Sequence, residues 1–237
     1  MNAIARHLLG FLITTLLVVT LASVAKAQCP AMPQLGSPTV NVQVLTPKLV
    51  YHHDVDLFGL PKVEKSAERP PQGSILLGLT KLADGIVVVP HYVALPRPGG
   101  IYCVWLKKVD ASIGIPVMDV YVASEYEPGS CEYNVILNHE NTHVRFNLET
   151  MNEWAPTIQA ALTESANRLF PAVFYKDPKR DNAVAQYLFE NAKSTFLLMQ
   201  QEMAKRNASI DTPQNYRREN AKCNHWSRHG FKLDQTN

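Results

Sequence analysis

His139, Glu140 and His143 stand in the run His139-Glu140-Asn141-Thr142-His143, which has the form H-E-x-x-H. On a helix, residues four apart stack on one face, so two imidazoles at this spacing can grip a single metal ion. Glu140 lies about 100° further round, where a carboxylate can reach a water on that metal and serve as its general base. Two imidazoles and a carboxylate suit Zn²⁺ and leave a fourth position for water, the arrangement that hydrolyses amides, most often peptides. Zinc is therefore the expected cofactor, His139 and His143 two of its ligands, and Glu140 the catalytic base.

The third ligand is not part of the run. In the extended form H-E-x-x-H-x-x-G-x-x-H, a Gly turn delivers a third His, but here those positions hold Phe146 and Glu149. Without the Gly the helix is expected to continue, which carries Glu149 to a different side. A carboxylate from a following helix is the alternative. Glu164, in Thr163-Glu164-Ser165, is the leading candidate, returned to the metal by a helix hairpin. Asp211 and His225, both after a later long helix, and Glu149 are the others. Tyr216, His225 and Arg145 are candidates to stabilise an oxyanion, and spacing singles out none of them. His225 and His229 also stand four apart, but no carboxylate lies between them and they read as a surface segment. No Gly-rich phosphate loop and no Gly-x-Ser-x-Gly elbow is present.

The elements that must position these residues divide near residue 130. Before it, short segments rich in Val, Ile and Tyr alternate with turn residues: Val40–Val44, Lys48–His52, Ser74–Leu82, Gly85–Val93, Ile101–Val109 and Pro116–Ala123. A Pro- and charge-rich loop, Gly59–Gly73, interrupts them. This punctuation predicts an antiparallel β-meander. After residue 130 the period is helical. Ser130 is placed to cap a helix running to about Trp154, with Ile136, His139, His143, Phe146 and Thr150 in one stripe. Pro156 suits the first turn of a second helix reaching about Leu169. A third runs from about Asp181 to Arg206, and the tail beyond is polar apart from Trp226 and Phe231. The expected fold is α+β: an N-terminal antiparallel β-meander (28–129) followed by a three-helix region with a polar tail (130–237), together one domain.

Residues 1–27 read as a secretory signal peptide. Arg6 and His7 precede the apolar run Leu8–Val24, and Ala25-Lys26-Ala27 is a small-x-small cleavage site before Gln28. No later stretch is apolar enough to span a bilayer, so an exported protein, periplasmic or extracellular, without a stable membrane span is expected. The leader holds two of the 23 Lys and Arg and none of the 21 Asp and Glu, so the mature chain carries no net charge. Without a basic excess there is no electrostatic case for nucleic acid or an anionic membrane. Four cysteines, Cys29, Cys103, Cys131 and Cys223, favour two disulfides in an oxidising compartment, and three pairings are open.

On its run Leu137-Asn138-His139-Glu140-Asn141-Thr142-His143, with Tyr102-Cys103-Val104, Cys131-Glu132-Tyr133 and the Asp211-Thr212 turn after the long helix, the chain resembles a zincin-type metallopeptidase. More narrowly, it is similar to a family of bacterial secreted proteins described as predicted zinc-dependent proteases. The resemblance covers roughly residues 40 to 220, and its specific part is the H-E-x-x-H core. Thr142 stands where members tend to have Gly, and Asn215-Tyr216 where they tend to have a His near the Asp-Thr turn. The resemblance implies a secreted metal-dependent hydrolase and supplies neither a substrate nor a third ligand. The expected substrate, a peptide or protein, comes from the metal chemistry, and a narrower expectation is an enzyme acting on cell-wall peptide. The competing expectation is an exported β-rich binding or envelope protein with a structural metal or none.

Overall fold

The computed structural model describes residues 29–63, 76–81, 85–179 and 182–226. The expected leader, most of the loop after Gly59, and His229 and Phe231 lie outside the described residues. The fold is α+β. Strands β1 (Thr39–Val44), β2 (Lys48–His52), β3 (Gly78–Lys81), β4 (Ile86–Arg97), β5 (Ile101–Ile113) and β6 (Val117–Val122) precede the long helices. Helix α1 (Leu60–Val63) is a single turn, and α2 (Cys131–Leu169), β7 (Ala172–Phe174), α3 (Ala183–Ala208) and α4 (Pro213–Asn220) follow. The chain forms two compact units, and each passage between them falls inside a regular element.

The first unit comprises 29–42, 87–111 and 157–194. Its sheet has the order β1-β5-β4, with β7 also pairing β5 through Cys103 opposite Val173. Gly99 and Gly100, both at positive φ (83° and 73°), turn β4 into β5. Val104, Leu106 and Val109 of β5 pack with Ala166 of α2 and with Val184 and Leu188 of α3. The Cys29–Cys103 disulfide ties the start of the described chain to β5, and Trp105 Nε1 donates to Pro30 O at 2.8 Å.

The second unit comprises 43–86, 112–156 and 195–226 and holds the sheet β2-β6-β3. Here the meander expectation is corrected. β2 runs parallel to β6, from Lys48 opposite Val117 to His52 opposite Tyr121, while β3 is antiparallel to it. Alternation of apolar residues sets which face of a strand is buried but carries no information on its partner. The chain from Leu45 to Lys48 runs alongside Ile113–Pro116, with Leu45 N donating to Ile113 O and Lys48 N to Pro116 O, and this starts β2 in the parallel register. Met118 and Val120 of β6 pack with Val144 of α2, with Leu49, Leu137 and Leu148 around them.

The helix hairpin at Pro156 is also corrected: α2 runs unbroken for 39 residues with Pro156 inside it. Proline removes one helical hydrogen bond, here to Asn152 O. Both residues are exposed, so water can serve that carbonyl, and the cost falls on the wet side where helices bend most readily. Ser130 caps α2 as expected, its Oγ accepting from Tyr133 N at 3.1 Å. Among the described residues after residue 130 there are three helices, but not the three expected. They are α2, α3 and the unforeseen α4, with β7 between the first two.

Candidate metal centre

One face of α2 within the second unit buries an unusual set of polar side chains: Glu132, His139, Glu140, His143, Asn147 and Thr150 are each 8% exposed or less. Buried polar groups must find partners, and for His139, Glu140, His143 and Asn147 these come from α3, the turn after it, α4 and β3. Among the described residues, the group able to hold a metal is His139, His143 and Asp211. His139 Nε2 lies 3.2 Å from His143 Nε2, and Asp211 Oδ1 lies 3.0 Å from the first and 3.3 Å from the second. With metal–ligand bonds of about 2.0–2.1 Å, a tetrahedron has edges of about 3.3 Å. The three atoms thus match one face of such a tetrahedron.

The surrounding hydrogen bonds decide which imidazole nitrogen carries a proton. Asn147 Nδ2 donates to the His143 carbonyl at 2.6 Å, which turns Asn147 Oδ1 toward Asn207 Nδ2 at 2.9 Å. Asn207 Oδ1 therefore faces His143 Nδ1 at 3.0 Å, and that nitrogen must be the donor. His139 Nδ1 faces the acceptor-only Glu219 Oε2 at 3.0 Å and is a donor for the same reason. Both Nε2 lone pairs then converge on each other and on a carboxylate oxygen. Such a cluster needs a positive charge at its centre, either protons or a cation. Metal-ligating histidines characteristically have this second hydrogen bond fixing their tautomer.

Without a cation, the surroundings favour protons in that role. Burial opposes protonation of both imidazoles. The Asp211 hydrogen bond and the Glu140 charge outweigh burial, raising His139 above the usual range and His143 to about 9. Burial likewise acts to raise Asp211, but hydrogen bonds from His139, His143 and Tyr216 hold it well below the usual carboxylate range. Burial pushes Glu140 up, against the pull of His143, His139 and the Thr80 hydroxyl.

Local sequence explains how Asp211 arrives. Asp211 directly precedes Thr212, whose hydroxyl accepts from Asn215 N at 3.1 Å, with Pro213 following in the first turn. This cap starts α4 next to Asp211. One helical turn then presents Tyr216 and Glu219 to the same place. Tyr216 Oη donates to Asp211 Oδ1 at 2.7 Å, and its ring lies 5.3 Å from that of His139. Burial and the neighbouring Asp211 push the Tyr216 phenol far above its usual pKa.

Glu140 sits against β3. Thr80 Oγ1 is 2.8 Å from Glu140 Oε2 and 2.9 Å from Glu140 O. Gly78 makes this approach possible: a Cβ there would lie 2.7 Å from Glu140 Oε1 and 2.7 Å from Ile136 Cγ2.

His139, Glu140 and His143 are thus brought together, whereas Glu164 is not. Because α2 does not turn back at Pro156, the hairpin that would have returned its carboxylate is absent. Glu164 is 77% exposed and pairs with Arg168 one turn along. Asp211, one of the alternatives, takes the place expected for it. Glu149 pairs with Arg145 on the exposed face, and His225 is exposed, with its backbone N–H donating to Glu132. Of the oxyanion candidates, the second unit brings only Tyr216 to the cluster. Sequence reasoning missed Glu219, Asn207, Asn147, Thr80 and Gly78. A glycine inside a strand is a sign of close approach, and Gly78 carried that signal. No family model, curated protein or solved structure matches this chain.

Proposed function

We propose that the protein is a zinc-dependent hydrolase of the zincin type, most simply an exported metallopeptidase. The observation that carries this reading is the triangle of His139 Nε2, His143 Nε2 and Asp211 Oδ1, with edges of 3.0–3.3 Å and Glu140 one residue from a ligand. A zinc ion held there supplies a Lewis acid that acidifies water and polarises a carbonyl. The side chains do the rest. Asp211, 40% exposed, leaves the cluster open on one side. Glu140 takes the proton of the attacking water. The Tyr216 hydroxyl can turn its proton from Asp211 to the carbonyl oxygen as charge grows there. β3 is an edge strand among the described residues, and such an edge beside the base would suit backbone hydrogen bonds to an extended peptide.

Export is supported by two disulfides, Cys29–Cys103 and Cys131–Cys223. In addition, no described helix is long and apolar enough to cross a membrane. The deciding experiment measures metal content of the mature protein, then compares wild type with Glu140→Gln on labelled casein and on cell-wall peptides. About one zinc per chain is expected. Glu140→Gln should keep that zinc and lose roughly 10²–10⁴-fold in rate. Absence of stoichiometric zinc overturns the metal site. Full zinc with equal cleavage by the variant leaves a structural metal in a binding protein.

A further inference from the structure

We infer that Thr80, a residue of the edge strand rather than of the metal helix, is the positioning residue that aims Glu140. The inference rests on the reading of Glu140 as base. Glu140 is 5% exposed and Thr80 8%, so water competes little for the bond between them. The Thr80 hydroxyl has one proton and two acceptors within reach, Glu140 Oε2 at 2.8 Å and Glu140 O at 2.9 Å. Donating to Oε2, it fixes the carboxylate rotamer. Donating instead to the backbone oxygen, it frees Oε2 while still holding the residue against β3. Gly78 leaves room for the other oxygen, since any side chain there would strike Oε1. The base is thus held by Thr80 and given room by Gly78 of the same strand, and its aim is separate from the hydrogen bonds to the two imidazole Nδ1 atoms, which involve Asn207 and Glu219.

This separation can be tested without knowing the natural substrate. The probe is acetohydroxamate, whose oxygens bind an open zinc position and hydrogen-bond a neighbouring carboxylate. Its affinity for the zinc-loaded wild type, Glu140→Gln, Thr80→Val and Thr80→Ser is measured by titration calorimetry, with zinc content and Tm recorded for each. Thr80→Val removes the hydroxyl at nearly constant volume, and Thr80→Ser retains it. Thr80→Val is expected to keep one zinc and to weaken acetohydroxamate about 10-fold, approaching Glu140→Gln, while Thr80→Ser stays within about 2-fold of wild type. If Thr80→Val binds like wild type while Glu140→Gln is weakened, the role of Thr80 is wrong and the base reading stands. If Thr80→Ser is as impaired as Thr80→Val, packing rather than the hydroxyl is responsible and the inference fails. If zinc-loaded wild type does not bind acetohydroxamate, or Glu140→Gln binds it equally, the reading of an open site with Glu140 beside it falls, and this inference with it.

Discussion

The two halves of α2 bury their inward faces in opposite ways. From Thr157 to Leu169 the buried residues are Ile158, Leu162, Ser165 and Ala166, three of them apolar, and Ala166 joins the apolar core of the first unit. From Cys131 to Pro156, Ile136, Val144 and Met151 share the buried surface with Glu132, His139, Glu140, His143, Asn147 and Thr150. An apolar face is stabilised by area removed from water and tolerates many partners. A polar face is stabilised only when specific donors and acceptors meet it, and each unmet group costs about 1–3 kcal/mol. The first half of α2 therefore depends on Asn207, Asp211 and Glu219 arriving in register, a demand the second half does not make.

That contrast can be broken at its strongest point by Asp211→Ala. Loss of a direct ligand should weaken zinc binding by more than the roughly 100-fold that outer-shell changes can cost, read by competition with a chelator. A change below about 3-fold would remove Asp211 from the ligand set. In the other half, Leu162→Ala empties a fully buried site and should cost about 2–5 kcal/mol in denaturant unfolding, while the folded fraction still takes up one zinc. Should Leu162→Ala strip the metal as well, the two halves are not independent surfaces.

A smaller effect follows from acidity. The folded His143 has its pKa raised to about 9, against about 6.5 in an unfolded chain. A raised folded value gives stability that is fully present below about pH 6.5 and is lost as pH rises through about 9. Metal-free protein should therefore melt lower at about pH 10 than at about pH 6. Zinc needs bare Nε2 atoms, so its affinity should rise over the same window. A metal-free Tm that does not change across this range would mean that the cluster holds no proton. The smallest effect belongs to Glu164→Gln. On an exposed face with only an i,i+4 partner, it should change stability by less than about 0.5 kcal/mol and zinc affinity not at all.

The legibility of this molecule tracks the range of each interaction. His139, Glu140 and His143 could be read because one helical turn relates them, and Ser130 because a cap bonds to a residue three positions on. The Val, Ile and Tyr runs located the strands, yet the parallel pairing of β2 with β6 involves a partner far along the chain, which no local pattern encodes. Pro156 read as a helix start because proline is favoured there. The same residue is tolerated in an exposed turn within a helix, and sequence alone does not separate the two. That single ambiguity made Glu164 the leading candidate. Asp211 was visible only as one of several residues after a long helix, since its place depends on how α3 ends and α4 begins. Glu219 was hidden in a stretch read as polar tail, where Tyr216 was visible only as one of several oxyanion candidates.

The Cys131–Cys223 bond, whose ends are separated by 92 in sequence, closes a covalent ring through the first residue of α2 and the chain just beyond α4. His139, Glu140, His143, Asn147, Asn207, Asp211, Tyr216 and Glu219 all lie on that ring, whereas Gly78 and Thr80 do not. A protease nick anywhere between Cys131 and Cys223 leaves every ligand on one connected piece, and the oxidised unfolded chain already confines them to one loop, worth about 4–5 kcal/mol in the chain-entropy picture. A nick between Cys103 and Cys131 instead parts β3, which the Cys29–Cys103 bond would otherwise keep attached, from the macrocycle that would grip the metal. On the proposed reading, the residues that would hold a cation and the strand that would aim the base are fastened to the protein by two different disulfide-closed loops.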